Sequence, residues 1–168
     1  LAGIVERAAS TNGITVAIGQ LSGWPPFSFG ADRIVVSDQD GQFAEIDNLR
    51  VDLRVAALLR GRIAVSGITA GRLALSRQPR YTPPPPSEDT FPLAVERFAV
   101  ERIELGAAFV GRAGRAAVLT ADGAFAQTAD GGLDVKVNGA RTDGTQGLLV
   151  AAIQRERRGA PLAVDARL

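Results

Sequence analysis

The stretch that decides the fold is IDNLRVDLRVAALLRGRIAVSGITAGRLAL, residues 46–75. Leu49, Val51 and Leu53 alternate with Arg50, Asp52 and Arg54, the period-two pattern of a strand with one apolar and one polar face. VAALLRG, residues 55–61, interrupts it. Ala56, Ala57, Leu58 and Leu59 favour helix and Gly61 suits its end, so a short crossing helix of about two turns is predicted. Alternation returns at Ile63 and Val65, resets at Gly67, and continues at Leu73 and Leu75. Glycine inside such a run predicts a bulge, here one that holds Ile63, Val65, Leu73 and Leu75 on one side.

Upstream, Leu1, Ile4, Val5 and Ala8 fall at helical spacing, and Asn12 and Gly13 suit a helix end, so residues 1–12 predict an N-terminal helix. Ile14, Val16 and Ile18 then alternate as a strand. The adjacent prolines of SGWPPFSFG, residues 22–30, cannot sit in a central strand, so a kink or edge crossing is expected there. DQDG, residues 38–41, reads as a hairpin turn, with Gly41 supplying the positive φ. A calcium-loop reading of the same stretch fails: its glycine comes too early, and the closing glutamate at the twelfth position is missing.

Downstream, the proline-rich stretch at residues 82–90 favours polyproline II and reads as an exposed loop, because the same alternation resumes beyond it. Val95, Phe98 and Val100, then Ile103 and Leu105, repeat the device of alternating runs with a phase slip. GRIAVSGITAGRLALSR and ERFAVERIELGAAFVGR look like distant copies of one unit. AAVLTADGAF, GLDVKVNGA, GLLVAAIQRE and PLAVDARL follow as further strands, with Asp-Gly or Gly-Gly turns between them. The pattern is an all-β meander in a single unit, residues 1–168. Its alternating face is either the core side of a sandwich or the lining of an open groove. The face is narrow and aliphatic, with few aromatics, which leans toward the groove.

Composition narrows the chemistry. The chain has no cysteine and no histidine, which removes thiol nucleophiles, Cys/His zinc sites and the imidazole base. No GxSxG or phosphate-loop motif is present, and no carboxylate pair has a catalytic spacing. The expectation is a protein with no catalytic residues, no metal and no cofactor. Charge is balanced at 19 basic and 18 acidic residues and the signs are interspersed, against a nucleic-acid partner. There is no methionine, even at position 1, so LAGIVERAAS reads as a piece cut or processed from something longer. No apolar run is long enough to span a bilayer.

Residues 14–110 resemble the N-terminal region of the TamB family, translocation and assembly module proteins of the AsmA-like group. The resemblance rests on the LSG strand end followed by proline, RIVVSDQDG, LRVDLR leading into AALLRGR, LALSRQP, and LAVERFAVERIELG after a proline-rich gap. LAGIVERAAS resembles the helix that follows that family's membrane anchor. The resemblance implies a mainly β fold: an elongated curved antiparallel sheet forming a hydrophobic groove, a half-pipe, with a short N-terminal helix and short crossing helices. It implies a periplasmic protein anchored in the bacterial inner membrane, whose groove conducts phospholipid between inner and outer membranes. It also implies a TamA-like barrel partner in the outer membrane, reached through a C-terminal part absent here. On this reading Val51, Leu53, Ile63, Val65, Leu73, Leu75, Val100, Ile103 and Leu105 line the groove and hold acyl chains. Arg50, Asp52, Arg54 and Arg72 face water, and Arg7 would meet lipid phosphates. Two other readings are a scaffold for outer-membrane protein assembly by β-augmentation and a passive structural β-solenoid.

Overall fold

The computed structural model describes residues 9–11, 13–24, 26–58, 62–80, 92–110 and 115–167. They build one large, curved, unclosed sheet with very few short helices. The strands are β1 (Ala9–Thr11), β2 (Ile14–Ile18), β3 (Leu21–Trp24), β4 (Ser28–Asp38), β5 (Gly41–Leu53), β6 (Ile63–Leu75), β7 (Leu93–Leu105), β8 (Ala117–Gln127), β9 (Leu133–Arg141), β10 (Leu148–Arg155) and β11 (Ala163–Arg167). They lie in the order β1-β2-β4-β5-β6-β7-β8-β9-β10-β11, with β3 also paired to β4. Two four-residue helical turns, α1 (Val55–Leu58) and α2 (Ala107–Val110), follow β5 and β7.

The hairpin at DQDG forms as the residues demand. Asp38 pairs with Gly41, whose φ of 98° lies in the region that glycine tolerates. Asp38 then anchors the chain leaving β6. Its carboxylate accepts from the Arg77 guanidinium and from the backbone N–H of Asp40 and Arg80. The Arg77 bond, with those amides, holds the Asp38 carboxyl well below the usual carboxylate range.

Two expectations are corrected, and a third is met in part. Ala9–Thr11 is not the last turn of a helix but strand β1, paired antiparallel with β2; the rest of the expected helix lies outside the described residues. Of the expected crossing helix, Val55–Leu58 form one turn, α1, and residues 59–61 lie outside the described residues. The meander is also broken once, because β6 and β7 run parallel. Both strands therefore start at the same end of the sheet, and residues 76–92 must carry the chain back along it. A thirteen-residue strand spans roughly 43 Å, within reach of this connection at about 3.1 Å per extended residue. The proline-rich loop itself lies outside the described residues.

At the prolines, β3 and β4 form a hairpin in which Leu21 faces Ala31 and Trp24 faces Ser28. The Phe27 N–H closes it by donating to the Trp24 carbonyl at 3.0 Å.

Candidate functional site

β8 fixes which way each side chain of the apolar pattern points. It pairs with β9 without a register shift, so Ala117, Leu119, Ala121, Gly123 and Phe125 share one face by alternation. Opposite them on β7 stand Leu105, Ile103, Val100, Phe98 and Val95. β7 must therefore slip phase twice, and the two register shifts lie between Val95 and Phe98 and between Val100 and Ile103. β6 runs beside it with the same rhythm: Ile63, Val65, Ile68, Ala70, Leu73 and Leu75 stand next to Leu93, Val95, Phe98, Val100, Ile103 and Leu105. Across the next ladder, Leu53, Val51, Ile46 and Ala44 face Val65, Ile68, Leu73 and Leu75.

Every residue proposed from the sequence for the groove thus lies on one face of the sheet. Val51, Leu53, Ile63, Val65, Leu73, Leu75, Val100, Ile103 and Leu105 are brought together by β5, β6 and β7. The reason differs from the one expected. Val65 and Leu73 are an even number of residues apart, so one bulge at Gly67 would set them on opposite sides. The slip at Ser66–Gly67 is present, opposite the register shift at Asp52/Leu53. That slip brings Ile68 and Ala70 to the same face, and a second at Gly71–Arg72 returns Leu73 and Leu75 to it.

That second slip runs across several strands. Asn48 opposite it takes φ 55°, the one positive φ among the described non-glycine residues. Gly71 leaves room for it, since a Cβ there would meet Asn48 Nδ2 at 3.3 Å. Between β2 and β3 the same line passes through Gly19 and Gln20, which bond to Arg33 and Asp32 across the break.

Sequence reasoning missed part of this face. Phe29, Ala31, Ile34 and Val36 of β4 belong to it, opposite Val51, Leu49, Ile46 and Ala44. The unbroken run IVV hid their alternation. Leu119 and Leu149 also belong, beside Leu105 and Val110 around a hollow of about 620 Å³. The run GLLVAAIQRE carried that signal without a phase.

Burial shows what covers the face. Val51, Val65 and Val95 are buried together, with Leu49, Leu53, Ile68, Leu93, Phe98 and Phe125 packed around them. Ile103 is buried; Leu53, Leu73, Leu75, Val100 and Leu105 are half-buried; Ile63 is 42% exposed. Yet among the described residues no large side chain is fully buried. A sandwich puts large aliphatics out of reach of water between two sheets. Here the side chains shield one another within one layer, so the sandwich reading falls.

The opposite face is ionic. Arg50, Asp52 and Arg54 are exposed there, and Arg54 pairs with Glu96 at 2.8 Å. Arg72 is not simply solvated: it bridges β5 to β7, meeting Asp47 at 2.9 Å and Glu104 at 2.8 Å. Arg33 closes on Glu45 at 2.7 Å and Arg102 on Glu104 at 2.6 Å. Bonds to Glu104 and then Asp47 push the Arg72 guanidinium further up, and Arg72 in turn lowers Glu104. Glu45 is lowered chiefly by Arg33. The balanced cluster staples four strands on the side away from the apolar face.

These features define a class: an open, curved, single-layer sheet with one continuous aliphatic face and one ion-paired face. No family model, curated protein or solved structure matches the chain.

Proposed function

We propose that the chain is a segment of a TamB-like, periplasm-spanning protein whose apolar face forms a trough for phospholipid acyl chains moving between the inner and outer membranes. The observation that carries this reading is the continuous aliphatic face, kept in phase by two slips in each of β6 and β7 and left uncovered among the described residues. Each methylene leaving a bilayer loses burial worth about 0.8 kcal/mol. A continuous face of Val, Ile and Leu restores that burial at every step, so no step along it is steep. The ion pairs of the opposite face tie the strands together.

The test is a photo-crosslinking side chain in place of Val65 or Leu73, on the apolar face, and of Thr69, on the other, in cells carrying the full-length protein. Phospholipid adducts at the first two and not the third support the trough. Protein adducts alone at Val65 and Leu73 sink it.

A further inference from the structure

The hairpin of β3 and β4 carries a cluster that neither the aliphatic trough nor the ionic face explains. Its tip, LSGWPPFSF, exposes Trp24 at 78% and Phe27 at 60%, with Leu21 and Phe29 exposed beside them. A hairpin tip of this size has no folding reason to hold a tryptophan and two phenylalanines in water. We propose that this tip is a bilayer-seating wedge: it inserts Trp24 and Phe27 into a lipid surface and sets the end of the sheet against it. The proposal rests on the trough reading for what happens beyond the membrane, but not for the seating itself.

Three observations favour a bilayer over a protein partner. The first is backbone satisfaction. Each bare backbone N–H carried into the apolar zone costs free energy, and this tip is poor in them. Pro25 and Pro26 have no N–H to satisfy. The Trp24 carbonyl accepts from Phe27 N–H at 3.0 Å, and the Phe27 carbonyl accepts from Leu53 N–H at 2.7 Å. The second is residue type. Indole is amphipathic and settles at the headgroup level, with phenyl rings below it. The third is continuity. Phe29 pairs with Val51 and Leu21 with Ala31, so the apolar face runs up to the tip, where Trp24, opposite Ser28, extends the cluster past its edge. Arg62, just before β6, lies at the same end of the sheet, where it would meet lipid phosphates.

Trp24 is the chain's single tryptophan, so it reports on its own environment. The full 168-residue chain is mixed with vesicles of phosphatidylcholine, with and without phosphatidylglycerol. The proposal predicts a blue shift of Trp24 emission, quenching by brominated acyl chains, and tighter binding with the anionic lipid. Phe27→Ser weakens binding by roughly tenfold, the loss of one buried aromatic side chain. Trp24→Ser does the same by vesicle flotation. Arg62→Glu removes the gain from phosphatidylglycerol. Val150→Ser, at another exposed apolar residue far from the tip, binds as the parent does. Circular dichroism checks that each variant is folded.

Unchanged Trp24 emission with vesicles overturns the proposal. So does equal weakening by Val150→Ser, which would mean general stickiness. The two readings separate cleanly. If seating fails, crosslinking of phospholipid at Val65 is unaffected; if the trough fails, Trp24 still enters the bilayer.

Discussion

Leu73→Ala measures whether the apolar face is open. Leu73 is half-buried, on β6, between Ile46 and Ile103 on the neighbouring strands. The substitution removes three carbon groups, worth about 0.8 kcal/mol each when fully buried. Half-burial brings this to roughly 1.2 kcal/mol. In a closed core the vacated space adds a cavity term, and Leu→Ala costs about 2.7–5.0 kcal/mol. On an uncovered face water fills the space and that term vanishes. The expected loss is therefore about 1 kcal/mol, read as a lower urea midpoint with an unchanged m-value. Leu73→Glu should cost little more, because the carboxylate stays hydrated. A loss above about 3 kcal/mol for Leu73→Ala would falsify the open face, since only a covered side chain loses that much.

Other outcomes follow from the same structure. Gly123→Ala places a Cβ 2.0 Å from the Lys136 carbonyl oxygen and 2.6 Å from the Phe98 ring, so it should cost about 1–3 kcal/mol and lower Tm. Asn48→Val forces a β-branched residue into φ 55° and should cost about 1–2 kcal/mol in urea unfolding, while Asn48→Gly is neutral or stabilising. Arg72→Gln unpairs Asp47 and Glu104 and should cost about 1 kcal/mol at low salt, less at high salt, with Arg72→Lys restoring only part. Asp38, Glu45, Glu104 and Asp143 are all held below the usual carboxylate range, led by Arg77, Arg33, Arg72 and Arg141 respectively. The unfolded chain then takes up protons first as pH falls. Stability should hold above about pH 5 and drop through and below the carboxylate range near 4. With no histidine, thermal unfolding should show no side-chain step between about pH 5 and 8.

Alternation made the strands legible. Residues 49–53 and 63–65 name their apolar face because branched aliphatics and arginines change places at period two. α1 was legible for the opposite reason, as a short run of helix formers without alternation. Phase slips were harder. A slip is visible only as an odd spacing, and two slips cancel, so Leu73 looked in phase with Val65 although the chain bulges twice between them. The likeness between residues 63–75 and 93–105 signalled a shared rhythm, but only pairing shows that the two lie side by side and parallel. β1 was missed because helical spacing in a short alanine-rich stretch also suits a strand that packs by pairing alone. Whether the face was covered could not be read from periodicity, since a sandwich core and an open face write the same alternation.

The most direct measurement of the central claim is the phospholipid bound per chain after exposure to vesicles and re-isolation, read by native mass spectrometry. Wild-type protein should retain phospholipid, and Val100→Glu, on the half-buried apolar face and folded by circular dichroism, should not. Equal phospholipid on both, or none on the wild type, would contradict a trough for acyl chains.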